Sequence, residues 1–494
     1  MSRRTLRALT LAVSVTWAEL RHDPAHAALF AGRLLSARDR GPLTPAERRP
    51  AASTRPTASA CPTGPVPAPP GRRILPVPGR VLHLVPEGLP ERHTNATART
   101  QALARAQSAA GLDPHVVTRI GFPLDHGVFD ARPLHLLDGV PQHRLLPRWL
   151  PYNPAAALNR QAELTARLVE RLRPSVLHVG GDAGDGLVAL ALRETYGLPV
   201  VHEVRWTEQE NHGSGHEGHG SGQKGRPSRK RGRSRGNDSR PAGSEWETHC
   251  LREADAVLTA SRAMKTEIVS RGVPEERVHI APEAVDPAFL APLPDGTALR
   301  ADLGIEPGEH VVGTVGNLTH PEEIGTLLEA AAELRRRGVP VRLLLMGEGP
   351  ERRALETLAA RLGLTGAMVF TGRVPHDRLR AHHAVLDVFA VLRIAEHPHP
   401  AAPPLAAVEA MASGLPLLAS DLPAMTELVD PGVNGLLLPP NSTPAWTDAL
   451  GMLLSTPKKR HAWGTAARAT VIRDRSWERI ATTTLDVYRT LGCA

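Results

Sequence analysis

Short apolar runs alternate with segments of helical periodicity along much of the chain. The first series begins with RVLHLVP at Arg80, continues with Ala and Leu at helical spacing over 96–111, and reaches a second apolar run, HVVTRI. The same order returns in SVLHVGG, GLVALALRETYG and LPVVHEVRW. Apolar strands separated by amphipathic helices are typical of a parallel sheet covered on both faces. We therefore predict a doubly wound α/β domain over 78–290.

A second series of the same kind follows the segment PEAVDPAFL. It consists of HVVGTVGNL, a helical pattern over 321–337, VRLLLMGEG, a helical pattern over 351–362, and MVFTGRVP. This series predicts a second α/β domain over 300–475, followed by a closing helix over 476–494. Two such domains place the carboxyl ends of their strands around one cleft, where open α/β sheets bind ligands.

Two stretches interrupt the alternation. Residues 42–77 are rich in Pro and predict a linker behind an N-terminal helical segment over 1–41, and residues 208–244 predict a disordered insert. The chain has a net charge of +8, yet Lys224–Arg240 alone holds eight Lys or Arg and one Asp. This basic loop favours peripheral contact with an anionic membrane or polyanion. It contains no aromatic residue for base stacking, which argues against specific nucleic-acid recognition.

Composition excludes several classes of protein. The three cysteines, Cys61, Cys250 and Cys493, lie far apart and favour neither a disulfide framework nor a zinc site. No apolar run reaches the roughly 20 residues that span a bilayer. The run LTLAVSVTWA near the amino terminus imitates a short signal peptide, but charged residues follow it at once. We predict a cytoplasmic protein, with peripheral membrane contact or export as alternatives.

Two segments carry a resemblance to a known family. They are LLLMGEGPERRALETLAARLGLTGAMVFTGRVPHDRLRAHHAVLDVFAVLR and VEAMASGLPLLASDLPAMTELVDPGVNGLLLPP, and they resemble the retaining glycosyltransferases of family 4. The resemblance extends over about 78–492. It implies the GT-B fold, in which two Rossmann-like domains face each other across a cleft and the second binds the nucleotide sugar. It also implies that the closing helix crosses back to the first domain.

The resemblance assigns a donor site to the second domain. Glu409 in VEAMASG corresponds to a family acid that hydrogen-bonds the ribose hydroxyls, a role that suits a bidentate carboxylate. The turn Gly372–Val374 corresponds to one whose backbone reads the nucleobase. A helix-end Glu and an ordinary glycine turn are the structural alternatives. The predicted donor-binding residues are Glu409, Gly316, Asn317, Gly372, Arg373, Val374, Pro404 and Leu405.

Several polar positions depart from the family pattern. Asn317 and Glu322 stand where family members carry an Arg and a Lys that contact the diphosphate, so a stabiliser of transition-state charge is missing. Gly180 replaces the second His of a His-x-His strand end. The first acid of the family's Glu-x7-Glu motif falls at Ala401, or at Pro400 if the match slips by one residue, with Glu396 the nearest carboxylate.

Further candidates are predicted to line the cleft. Arg99 follows the first strand and could supply a cation to phosphate, whereas His178 is interpreted as a structural or cleft-edge His. Glu203 and Arg205 lie at the end of a strand, and a buried ion pair is the alternative to a cleft role. The predicted cleft residues are Arg99, His178, Glu203, Arg205 and Glu396.

Three functional hypotheses follow. The first is a glycosyltransferase that moves a sugar from a nucleoside-diphosphate sugar to an unknown acceptor with retention, in cell-envelope or secondary-metabolite assembly. The resemblance implies that no metal or other cofactor is required, and His212, His216 and His219 predict only adventitious metal binding. The second is a catalytically degenerate GT-B protein that binds a ligand or partner. The third is an adaptor acting through its basic loop.

Overall fold

The computed structural model describes residues 74–130, 132–151, 153–204, 242–318, 321–393 and 402–493. Two sheets, of eight and six strands, form two α/β domains within these residues, as the alternating pattern predicts. The predicted helical segment over 1–41, nearly all of the linker and most of the basic insert lie outside the described residues. A helix begins at Ala242, so the last three positions of the predicted insert belong to ordered secondary structure.

The first domain is built on the larger sheet, in the strand order β3-β4-β2-β1-β5-β6-β7-β8. All neighbours are parallel except β3 and β4, which form an antiparallel hairpin. The strands are β1 (Arg80–Val85), β2 (Asp113–Thr118), β3 (Leu134–Leu137), β4 (Val140–Arg144), β5 (Val176–Val179), β6 (Val200–Val204), β7 (Ala256–Thr259) and β8 (Val278–Ile280). The described helices of this domain are α1 (Asn95–Ala109), α2 (Pro154–Leu172), α3 (Ala183–Tyr196), α4 (Ala242–Glu253) and α5 (Arg262–Ser270).

The second domain is built on a fully parallel sheet in the order β11-β10-β9-β12-β13-β14. The strands are β9 (His310–Val315), β10 (Val341–Met346), β11 (Met368–Gly372), β12 (Val388–Val391), β13 (Leu417–Ser420) and β14 (Gly435–Leu438). The described helices are α6 (Thr297–Asp302), α7 (Pro321–Arg336), α8 (Arg352–Arg361), α9 (His376–His383), α10 (Leu405–Ala412), α11 (Thr443–Ser455) and α12 (Pro457–Asp474). Strand order reverses between β9 and β12, and such a switch point opens a ligand crevice beyond the carboxyl ends of the strands.

Local sequence explains why the helices begin and end where they do. Asp182 caps α3 by accepting hydrogen bonds from the backbone N–H groups of Gly184 and Asp185, and Gly197 ends the helix in the left-handed conformation. Ser261 caps α5 in the same way, through the N–H of Met264. Strands β5, β6 and β7 are buried along their whole length, as expected for central strands covered by helices on both faces.

The last helix, α13 (Trp477–Thr490), belongs to the core of the first domain. Its residues Ile480, Val487 and Tyr488 pack with Val81 and Leu103 of the first sheet and of α1. The backbone thus passes between the domains twice. None of the helices in the described ranges is long and apolar enough to cross a membrane.

The two crossing segments contact each other. The backbone N–H of Val285, in the first crossing, donates to the carbonyl of Arg475, in the second, at 3.0 Å. Nearby, Glu427 of the second domain accepts a hydrogen bond at 3.1 Å from the backbone N–H of Ala263, at the start of α5. Hydrogen bonds therefore join the two crossing segments to each other and the second domain to α5 of the first domain.

Candidate functional site

Glycines lie at the carboxyl edge of the second sheet, just beyond β9 and β10 and at the end of β11. Gly347, after β10, has φ +154°, and a Cβ there would lie 1.9 Å from the carbonyl oxygen of Gly316. Gly347 also forms a β-bridge with Gly372 at the end of β11. The predicted donor residues Gly316 and Gly372 are therefore brought to one edge, where Gly347 permits close approach of the neighbouring backbone and Oε1 of Glu348 lies near Gly372.

Glu409 lies on the same side of the domain, in the second turn of α10. This helix begins at Leu405 after Pro404, and both of these predicted residues are half-buried. The Glu409 side chain is only 5% exposed, and its Oε1 lies 2.8 Å from Nε2 of His376. Among the described residues, no partner contacts its other oxygen, Oε2, within hydrogen-bond distance. A buried carboxylate with one oxygen engaged can still accept protons from a ligand at the other.

The contact with His376 connects two parts of the predicted donor site. His376 is the first residue of α9, directly after the turn that runs from Gly372 through Arg373 and Val374 to Pro375. The 2.8 Å hydrogen bond thus brings this predicted base-reading turn next to Glu409. Arg373 is exposed and Val374 is half-buried.

The imidazole of His376 has a defined environment. Its ring lies 5.2 Å from that of Phe289, centroid to centroid, and its side chain is 54% exposed. The hydrogen bond to Glu409 raises the pKa of His376 above its ordinary value, and the negative charges of Glu409, Asp286 and Asp377 act in the same direction against partial burial. Sequence analysis did not single out this residue, although it directly follows the predicted turn.

Asn317 is exposed beside Gly316, as expected for a donor-side residue. Strands β9 and β12 pair at Val312 with Val388, and Asn317 and Arg393 each follow their strand end by two residues. The backbone N–H of Arg393 donates to Oγ of Ser420 at 3.0 Å, which holds this segment beside β13. Arg393 therefore follows β12 at the carboxyl edge of the sheet, next to the switch point between β9 and β12. The remaining predicted positions of this region, Glu396 and Ala401, and the side chain of Glu322, lie outside the described residues.

The cleft candidates of the first domain occupy its interior instead. Arg99 is buried, and its Nε donates to Oε1 of Glu203 at 2.7 Å, while Nη1 donates to Oε2 of Glu283 at 3.2 Å. Nη1 and Nη2 also donate to the carbonyls of Pro282 and Ala281. This corrects the expectation of an open phosphate-binding cation, because the guanidinium is committed to the first interdomain crossing. Arg205, predicted as a cleft residue, lies outside the described residues.

His178 is completely buried and continues the same network. Its Nδ1 lies 2.5 Å from the hydroxyl of Tyr488, and its Nε2 lies 3.4 Å from Oε2 of Glu203. Gln107 donates to the Tyr488 hydroxyl at 3.0 Å and contacts His83 at 2.7 Å. The structural interpretation of His178 is thus the one that its contacts support. Burial raises the pKa of Tyr488, which keeps its hydroxyl protonated as a donor within the network.

Arg475 completes the buried charges at the junction. Burial lowers the pKa of its guanidinium, while the negative charges of Glu427, Glu283 and Asp474 oppose that shift. Within the described ranges, its Nη1 has no hydrogen-bond partner. The described residues also contain no group of three or more His, Cys, Asp or Glu placed to hold a metal ion, and the three loop histidines lie outside them.

The two α/β domains and the crossing of the last helix to the first domain define a GT-B type architecture. Residues 96–289 match the family model for glycosyltransferase family 4, and residues 295–470 match that for glycosyl transferases group 1. The two matches cover the first and second domains in turn. The chain belongs to the family 4-like glycosyltransferases of the GT-B fold, as the resemblance in its sequence implies.

Curated relatives match over part of their length. The chain is 32% identical over 263 residues to D-inositol 3-phosphate glycosyltransferase of Nocardia farcinica, covering 51% of this chain and 56% of the relative. It is 32% identical over 230 residues to GDP-mannose-dependent alpha-(1-6)-phosphatidylinositol monomannoside mannosyltransferase of Mycolicibacterium smegmatis, covering 46% of this chain and 59% of the relative. The matches therefore span little more than half the length of these relatives.

Solved structures share the fold. Sucrose-phosphate synthase from Thermosynechococcus elongatus matches with a TM-score of 0.60 and 21% identity, covering 84% of this chain and 99% of that structure. Anabaena HepE in complex with UDP matches with a TM-score of 0.61 and 17% identity, covering 84% and 100%. At these identities the likeness establishes the two-domain architecture.

Proposed function

We propose that the protein transfers a sugar from a nucleoside-diphosphate sugar to an acceptor, with retention of anomeric configuration. The observation that carries the proposal is the position of the buried Glu409 carboxylate beside the turn at Gly372, on the edge where Gly316 exposes bare backbone. Carboxylate, open main chain and switch point together suit a ribose, a base and a phosphate group.

In this proposal Glu409 accepts hydrogen bonds from the ribose hydroxyls. Its oxygen Oε2 offers the open acceptor, while Oε1 can share its remaining lone pair with a second hydroxyl. The N–H and C=O groups of the turn at Gly372–Val374 bind the edge of the base. Backbone groups fixed by the sheet do so without reorganisation.

The leaving diphosphate carries about two negative charges, and catalysis requires groups that stabilise them as they develop. Arg393 is our candidate, because it follows β12 by two residues, as Asn317 follows β9, on either side of the switch point. The amino-terminal end of α10, which begins at Leu405, contributes the positive end of its dipole. These two features take over the role of the two family cations that Asn317 and Glu322 replace.

The names of the relatives support a phosphorylated polyol or a glycolipid as the acceptor, in cell-envelope or secondary-metabolite assembly. The first domain is the proposed acceptor side, in line with its match to the family 4 model over 96–289. We place the reaction in the cytoplasm, with the basic loop making peripheral contact with an anionic surface.

Thermal melting in the presence of UDP, GDP, ADP and their sugars tests donor binding. A ligand that binds only the folded state at 100 times its Kd stabilises it by about 2.7 kcal/mol, so one nucleotide should raise the melting midpoint. Glu409→Gln should lose that rise, whereas Glu333→Gln, at a half-buried Glu on α7 that pairs with the neighbouring Arg336 and Arg337, should keep it.

The outcomes separate the two leading functions. A rise followed by sugar transfer to an acceptor supports the enzyme. A rise with hydrolysis and transfer both absent supports the degenerate binding protein. If no nucleotide shifts the midpoint, donor binding is refuted.

A further inference from the structure

His376 is held against Glu409 by more than a single contact. Its Nε2 lies 2.8 Å from Oε1 of Glu409, and its ring packs against Phe289, 5.2 Å between centroids. Phe289 is itself buried in the core of the second domain. The imidazole therefore packs against the buried Phe289 ring and contacts the Glu409 carboxylate, while about half of the His376 side chain is exposed to solvent.

Glu409 needs such a partner. Its side chain is 5% exposed, and a buried carboxylate without an opposite charge or hydrogen bond is strongly destabilised. His376 is the only hydrogen-bond partner of this carboxylate among the described residues. It engages Oε1 and leaves Oε2 open, which is the arrangement expected of a group that orients an acceptor for a ligand.

We propose that His376 is a positioning residue for the nucleotide, which fixes the Glu409 carboxylate toward the ribose and makes donor affinity depend on pH. The proposal rests on the proposed function, since it assigns the ribose to Glu409. His376 acts through Glu409 rather than by touching the reacting atoms.

The sign of the pH dependence follows from the groups that face His376. Glu409 on α10, Asp286 ahead of Phe289, and Asp377 on α9 all raise its pKa above the ordinary 6.5. His383, two turns further along α9, has a pKa lowered by burial to about 4, so it is neutral near pH 7. Below its own pKa, His376 is an imidazolium that pairs with Glu409 and adds positive charge beside an anionic ligand. Affinity should therefore be highest at acid to neutral pH and fall as pH rises through that pKa.

The experiment measures the Kd of the nucleotide sugar selected by the melting panel between pH 5.5 and 8, below the range in which the ring N–H of uracil or guanine ionises. The disubstituted diphosphate of a nucleotide sugar does not titrate in this range, so the protein accounts for any change. His376→Ala should weaken binding about tenfold at pH 6. His376→Gln retains an N–H donor without a titrating charge, so it should recover part of the affinity and lose the pH dependence.

A matched control and a modified ligand make the test specific. His382→Gln changes a neighbouring histidine of α9 whose Nδ1, within the described residues, hydrogen-bonds the backbone carbonyl of Arg378, and it should leave Kd and its pH profile unchanged. With the 2′-deoxyribose form of the same donor, wild type and His376→Ala should differ by less than with the ribose form. That interaction between substitution and hydroxyl would not arise from a general loss of folding.

Failure of this proposal differs from failure of the proposed function. If wild type binds the donor and Glu409→Gln abolishes binding, but His376→Ala keeps both Kd and pH profile, then His376 does not position Glu409. The same conclusion follows if the Kd of the His376→Gln variant depends on pH as that of the wild type does. If no nucleotide sugar binds wild type at any pH, the proposed function itself is wrong.

Discussion

The two domains use buried charge in opposite ways. In the first, Arg99, Glu203 and His178 lie in a closed interior network that ends at Tyr488 and Glu283. In the second, the buried carboxylate of Glu409 has one described partner, and that partner, His376, is half exposed. One arrangement saturates its charged groups with protein contacts, and the other leaves an acceptor oxygen open at a ligand-binding edge.

This contrast separates structural from functional ionisable groups. Polar side chains at the carboxyl ends of central strands occur in both domains, so position along the chain does not separate them. The two groups differ in how completely their polar atoms are paired with other protein groups. A network whose members satisfy one another stabilises a fold, whereas a desolvated acid with an unfilled acceptor suits ligand binding.

The largest expected effect is on stability, from breaking the closed network. Arg99→Met leaves the carboxylate of Glu203 buried without its main partner and should lower the free energy of unfolding by about 3 to 5 kcal/mol. The measurement is the thermal or urea unfolding midpoint. Arg105→Met is the control on the same helix, because its contact with Asp138 is solvent-exposed and worth about 0 to 1 kcal/mol. Equal shifts for the two variants would contradict the comparison.

The next effect is on binding, at the open edge. Arg393→Gln should weaken nucleoside-diphosphate binding about tenfold to a hundredfold, as expected for a charged hydrogen bond, while the matching nucleoside binds unchanged. Titration calorimetry with both ligands checks this, with Arg361→Gln on the exposed end of α8 as the control. Equal losses for nucleoside and diphosphate would show that Arg393 supports the fold rather than the phosphates.

The smallest effect concerns the far end of the network. Tyr488→Phe removes the hydroxyl that His178 and Gln107 share and should cost about 1 to 2 kcal/mol of folding stability. Donor affinity should stay at the wild-type value, measured on the same samples. Tyr196→Phe, whose hydroxyl contacts a Glu170 side chain nearer the surface, should cost less. A loss of donor affinity in Tyr488→Phe would mean that network and edge are coupled.

Sequence pattern predicts both sheets because buried parallel strands appear as uninterrupted apolar runs. The β3–β4 hairpin was missed, although its signal is present. Asp138 and Gly139 adopt φ values of +49° and +82°, the two left-handed positions of the Asp-Gly hairpin turn. Few strand-forming residues surround this turn, and the helical and parallel patterns on either side dominate the interpretation.

The candidate site was predictable only where the family motif carries it. Glu409 and the turn at Gly372 were found by resemblance, and the structure places them together. The ion pairs that Arg99 forms with Glu203 and Glu283 were not predictable, because both partners lie more than a hundred residues away in sequence. Contacts of that kind depend on how the two segments that connect the domains pack in the folded protein, and no local sequence pattern predicts this packing.

Helix α13 has a consequence for the order in which the protein is made. The side chains of Ile480, Val487 and Tyr488 fill the core under the first sheet, and the carbonyl of Cys493 accepts a hydrogen bond from Gly79 beside its first strand. The first of the two domains therefore cannot complete its hydrophobic core until the ribosome has translated residues that follow the second domain. We expect nascent chains that stop before residue 476 to hold the first domain in an incomplete state, vulnerable to proteases and chaperones.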